Sequence, residues 1–160
     1  MSTKSQQILT PEEAALLYRN LGKMTLAEKL EALELFDTKG DYLRKNQARG
    51  DMLEFAKSVY PGFKVGPHHK KLAKIFADVI EGRKKRVIIN IAPRMGKSEF
   101  SSYLFPAFFL GSYPDKKIIM GTHTASLSED FGWRVRNLIN SEEYQELFPA
   151  TTVAEDQKAA

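Results

Sequence analysis

Apolar residues recur along this chain at two periods, and the longer period marks helices. Thr10-Pro11-Glu12-Glu13 opens the first, with a capping Thr, Pro at the first helical position and Glu able to bond back. Ala14, Leu16, Leu17 and Leu21 give it an apolar side, and Gly22 ends it. Thr25-Leu26-Ala27-Glu28 repeats the capping box. Leu26, Leu30, Leu33 and Phe36 follow at near-helical spacing until Asp37-Thr38-Lys39-Gly40 closes the element. In the second half of 42–60, Met52, Leu53, Phe55, Ala56 and Val59 share one face, and Tyr60-Pro61-Gly62 stops it. Gly66-Pro67-His68-His69 introduces a helix with Leu72, Ile75, Phe76 and Val79 as its buried stripe and Gly82 at its end.

Two runs differ in character. Val87–Ile91 is β-branched but for Asn90, and Lys116–Thr122 has an apolar centre; both predict strands. Between them, Phe100, Tyr103, Leu104, Phe105, Phe108 and Phe109 make Ser98–Leu110 too apolar for an exposed helix. It is expected to pack on the sheet, kinked or interrupted at Pro106. A further helix is expected from about Ser126 to Asn140, with Leu127, Phe131, Val135, Leu138 and Ile139 inward and Arg134 and Arg136 on outer or flanking faces. From Glu142 the helix gives way, and Ala150–Ala160 reads as a polar, featureless tail. Strand, loop, helix, strand, helix predicts the opening of an α/β sheet with right-handed crossovers. Thr122, His123 and Thr124 fall at the carboxyl end of its second strand, the side where such sheets bind ligands.

Composition narrows the picture little. Hydrophobic residues make up 42% and charged ones 28%, as in ordinary globular domains. The absence of Cys excludes a disulfide framework or a thiolate metal site and suits a reducing compartment. No run approaches a membrane span, and Met1–Gln7 lacks the apolar core of a signal peptide. A net charge of +4 permits a polyanionic partner without requiring one. Arg44, Lys45 and Arg49 read as a solvated helix face in preference to a nucleic-acid contact. Arg83-Lys84-Lys85-Arg86 stands at the wrong end of the first strand to meet phosphates.

The chemistry concentrates at Ala92-Pro93-Arg94-Met95-Gly96-Lys97-Ser98-Glu99, between the first strand and its helix. A strand fixes where such a loop starts, the loop turns backbone N–H groups inward, and the helix aims its positive end at the same place. Lys97 then reaches the β- and γ-phosphates of ATP, and the Ser98 hydroxyl ligates Mg²⁺. The first Gly of the usual pattern is missing, replaced by Ile91. Arg94 either contacts the γ-phosphate, stabilising transition-state charge, or is a solvated loop Arg. His68 or His69 is placed to hydrogen-bond a purine edge; a His packed at a helix start is the equal alternative. A metal role for the pair is disfavoured, with no carboxylate at ligand spacing.

The run from His68-His69 through Ala92–Glu99, then Pro106-Ala107, Gly111–Ile119 and Leu127–Ile139, resembles the large terminase subunit of tailed bacteriophages, including its phosphate loop with Pro-Arg before the Gly-Lys-Ser. The likeness covers about the last hundred residues well and Leu53–Phe63 more loosely. It implies an additional-strand, RecA-like P-loop NTPase sheet, here incomplete. The implied division is a helical lead-in (1–62), the N-terminal half of an ATPase domain (63–149) and a truncated tail (150–160). It implies an ATP-driven motor that moves viral DNA into the procapsid, with a separate nuclease domain. Pro93, Arg94, Met95, Gly96, Lys97, Ser98 and Glu99 would bind ATP and Mg²⁺, Arg94 and Lys97 would act in catalysis, and His69 would contact adenine. The implied partners are double-stranded viral DNA, a small terminase subunit, a portal protein and further copies in a ring, in the cytoplasm of the infected host. No strand ending in paired acids follows the loop, so this chain alone is expected to bind nucleotide weakly and not to turn it over. Another P-loop NTPase of helicase type, or a non-enzymatic nucleotide-binding protein, are the competing readings.

Overall fold

A computed structural model of the chain describes residues 19–20 and 24–153. The helix expected over Thr10–Gly22 lies outside them apart from Arg19 and Asn20, which are helical, as does the tail beyond Val153. The described elements are α1 (Leu26–Gly50), α2 (Met52–Val59), α3 (Pro67–Ile80), a π-helical segment (Glu99–Leu104) running into α4 (Phe105–Ser112), α5 (Ala125–Ile139) and α6 (Glu142–Leu147).

This order corrects the expected fold class. Among the described residues there is no strand and no sheet, so the α/β architecture of a P-loop NTPase, additional-strand or otherwise, is not what these residues form. Val87–Ile91 and Lys116–Thr122 carry no regular structure and no ladder. The reason is physical. β-branched residues favour extended backbone, yet a strand becomes a sheet only when a second segment supplies its hydrogen bonds. Ile88 and Ile119 consequently stand 96% and 98% exposed, while Ile89 and Ile91 pack on the edge of the core.

Contacts divide the chain into residues 1–44 and 45–160. In the first unit the capping box forms as expected: the Thr25 N–H donates to Glu28 Oε2 at 2.7 Å, and the Glu28 N–H returns to Thr25 Oγ1 at 3.4 Å. The helix does not close at Gly40 but continues to Gly50. An interior Gly costs about 1 kcal/mol relative to Ala and does not by itself end a helix.

In the second unit, Asp51 starts α2 by accepting from the N–H groups of Leu53 and Glu54 at 2.7 and 3.0 Å. Its helix delivers Phe55, fully buried, to the centre of an aromatic cluster. The rings of Phe108, Phe148 and Tyr144 stand 5.3, 5.9 and 6.0 Å from it. The Tyr144 hydroxyl donates to the Ala107 carbonyl at 2.9 Å, which lets a phenol sit in an apolar core. Burial pushes its pKa up to about 12. Tyr144 lies on α6, a helix absent from the expectation although Ser141 caps it and Glu142 and Glu143 occupy its first turn. Arg49 closes the other end of α6, its Nε donating to the Leu147 carbonyl at 2.6 Å. The polar stretch after it is not featureless either: Thr151 is buried and its hydroxyl donates to the Leu110 carbonyl at 3.2 Å. Gly111 of α4 is required by packing, since a Cβ there would stand 2.4 Å from the Phe148 ring.

Pro106 acts as expected, by interrupting. Its ring would collide with the carbonyl four residues back in an α-helix. The preceding turn is instead wound wide, with the Phe105 N–H donating to the Phe100 carbonyl five residues earlier, and α-winding resumes beyond it.

Candidate functional site

The loop at 91–99 is built on two left-handed residues. Arg94 has φ +62° and Gly96 φ +70°, and Arg94 is the one non-Gly residue with positive φ among the described residues. Pro93 fixes the turn that Arg94 completes, and Gly96 takes a conformation open to it without a Cβ penalty. Left-handed residues alternating with right-handed ones are the backbone pattern of an anion nest, and Arg94 and Gly96 are two left-handed positions two residues apart. The Gly96 carbonyl then accepts the Phe100 N–H at 2.9 Å, so helical winding begins at once behind the loop.

Phe100 is the peg that holds this junction. It is fully buried, and its ring stacks on Phe63 at 5.8 Å and on Phe76 at 5.9 Å, with His69 at 5.2 Å. His69 is buried beneath the loop. Its Nδ1 accepts the Gly66 N–H at 3.0 Å, half of a capping box at the start of α3. That acceptor role leaves the ring proton on Nε2, which lies 3.2 Å from His68 Nε2. The same Nε2 would stand 3.1 Å from a Cβ at Gly96, so the imidazole supports the loop from below. Burial, and after it the charge of His68, hold His69 below the ordinary imidazole range. Both of its nitrogens are thus engaged within the protein.

Around the loop is a concavity of about 400 Å³ lined by Ile91, Pro93, Arg94, Gly96, Lys97, Ser98, Glu99 and Ala92. Arg94 and Ser98 are exposed and Lys97 half-buried. Neither Arg94 nor Lys97 has an ion-pair partner among the described residues, so two cations border the loop outside any ion pair. Met95 is exposed at the loop tip. Glu99 is not free: it pairs with Arg134 of α5, whose guanidinium lies over the Tyr103 ring, 4.4 Å from its centroid. This pair joins residues 35 apart in the chain, and nothing local in the sequence announces it.

Of the other residues singled out, Thr124 caps α5, and Thr122 bonds to the Thr124 carbonyl and to Ser128, both at 2.6 Å. His123 is exposed beside them. In the basic run, Arg83 pairs with Asp78 and Glu81, and Lys84 with Asp78, while Lys85 and Arg86 are exposed. Among the described residues no group of three or more acidic or His side chains is placed to hold a metal ion, and no helix is long and apolar enough to cross a membrane. For Mg²⁺ the loop offers the Ser98 hydroxyl, its one carboxylate, Glu99, being paired with Arg134; such an ion characteristically keeps waters and takes its other ligands from substrate phosphates. Comparison of the chain with protein-family models, with curated proteins and with solved structures gives no match in any of the three.

Proposed function

We propose that the loop 91–99 binds the phosphates of a nucleoside triphosphate, ATP with Mg²⁺, and that the chain serves an ATP-driven DNA-packaging system of the terminase type. The observation that carries the binding reading is the left-handed pair Arg94 and Gly96, with the Arg94 and Lys97 side chains outside any ion pair among the described residues. The packaging context, with double-stranded DNA, a small terminase subunit, a portal protein and a ring of copies as partners, rests on the sequence resemblance alone. The support is the loop and its residues, not a sheet.

Lys97 supplies charge to the outer phosphates, Ser98 a hydroxyl for the metal, and Arg94 a planar donor for the terminal phosphate. Bound Mg²⁺ would neutralise charge between the phosphates. Turnover needs a carboxylate to activate water. Glu99, the acid lining the loop, is tied to Arg134, so this chain is expected to bind without hydrolysing.

The test is a titration with fluorescent ATP and Mg²⁺ against the chain and Lys97→Ala. Saturable binding that the substitution weakens at least tenfold, with no phosphate release, is the expected result. A folded chain that does not bind would sink the reading, and phosphate release abolished by Lys97→Ala would refute its non-hydrolytic part.

A further inference from the structure

Among the described residues, Glu99 is the only acidic one lining the loop's concavity, beside Arg94 and Lys97. A carboxylate one residue past Ser98 opposes an incoming anion in two ways. It repels the anion directly, and it is itself attracted to the positive helix end that the anion would occupy. The fold answers this from a distant element. Arg134 of α5 takes the Glu99 carboxylate, and its guanidinium is fixed over Tyr103 at 4.4 Å and near Phe131 at 5.8 Å. The two side chains are 36% and 25% exposed, so solvent screens the pair only in part. A planar guanidinium stacked on an aromatic face has little freedom to leave.

We infer that Arg134 is a specificity-determining positioning residue of the phosphate loop: by holding and neutralising Glu99, it makes the concavity accept polyphosphate anions. The inference rests on the loop's being a phosphate site. Arg134 itself touches no ligand in this scheme; it acts through Glu99.

Without Arg134 a full negative charge stands uncompensated within the Debye length of about 10 Å from a bound phosphate chain. At an effective dielectric between protein and water this corresponds to a loss of roughly five- to tenfold in affinity. The experiment titrates Mg-ATP and inorganic triphosphate against wild type, Arg134→Gln, Glu99→Gln and the double variant, at low and high salt. Arg134→Gln is expected to bind roughly five- to tenfold more weakly, less so at high salt. Glu99→Gln is expected to bind at least as tightly as wild type, and the double variant to regain most of the loss. A purely structural role would leave the double variant as weak as Arg134→Gln, and that result would overturn the inference. So would equal affinity of wild type and Arg134→Gln, or weaker binding by Glu99→Gln, which remains informative if Arg134→Gln fails to fold. A folded wild type that binds neither probe would instead overturn the phosphate-site reading on which the inference stands.

Discussion

At Gly96 two requirements coincide. The backbone there is left-handed, and the space where a side chain would begin is occupied by His69 Nε2 at 3.1 Å. Gly96→Ala is therefore expected to cost about 1–2 kcal/mol in urea unfolding, more than a backbone penalty alone, and to weaken Mg-ATP binding beyond that loss. A variant of unchanged stability and affinity would show that the loop needs neither the conformation nor the contact. Much of this was legible beforehand, because the Gly-Lys-Ser of 96–98 lies in a short run whose chemistry is local. Two residues show where legibility stopped. His69 reads from the sequence equally as a purine contact or as a residue packed at a helix start. Its burial and bond to the Gly66 N–H are tertiary and capping facts that no residue type declares. Arg134 reads as an outer or flanking charge, because periodicity assigns a face but cannot say which acid another element brings to it.

At the scale of elements, helices with caps and an unbroken stripe are readable, whereas the sheet that the sequence predicts does not form among the described residues. Pro67–Ile80 and Ala125–Ile139 each carry start signals and apolar residues at three- and four-residue spacing, which specify a helix by themselves. Val87–Ile91 and Lys116–Thr122 carry the residue types of strands, but pairing depends on partners that the run does not encode. That α6 escapes the sequence pattern has a smaller cause: its buried side is only Tyr144 and Leu147, among acidic and polar neighbours. The unpaired runs have a measurable consequence. Apolar runs outside any ladder, with outward isoleucines, are a template for association between chains. Ile88→Lys with Ile119→Lys is expected to reduce concentration-dependent association in sedimentation runs. Because both side chains are almost wholly exposed, the unfolding free energy should stay within about 0.5 kcal/mol. A large loss of stability would mean that these residues are buried in solution.

At the scale of the whole molecule, the histidine beneath the loop is expected to link stability to pH near neutrality. His69 titrates lower in the folded chain than when unfolded, so on acidification the unfolded chain takes up its proton first. This contribution to stability is complete above the free-histidine pKa of about 6.5 and falls as pH drops below it. Once protonated, the ring can no longer accept the Gly66 N–H. Urea midpoints are expected to fall between pH 7.5 and 5.5, and by less in His69→Gln; an equal fall in both would remove His69 as the cause. The wide turn at Glu99–Leu104 has a reach of a different kind. Each residue of an α-helix advances the direction of its side chain by about 100°. A turn closed over five residues instead of four therefore resets the angular phase between the residues before it and those after it. Ser98 and Glu99 face the loop in one phase while Ala107 and Phe108 meet the aromatic core in another, so a single helical rod serves two surfaces that one uniform winding could not align.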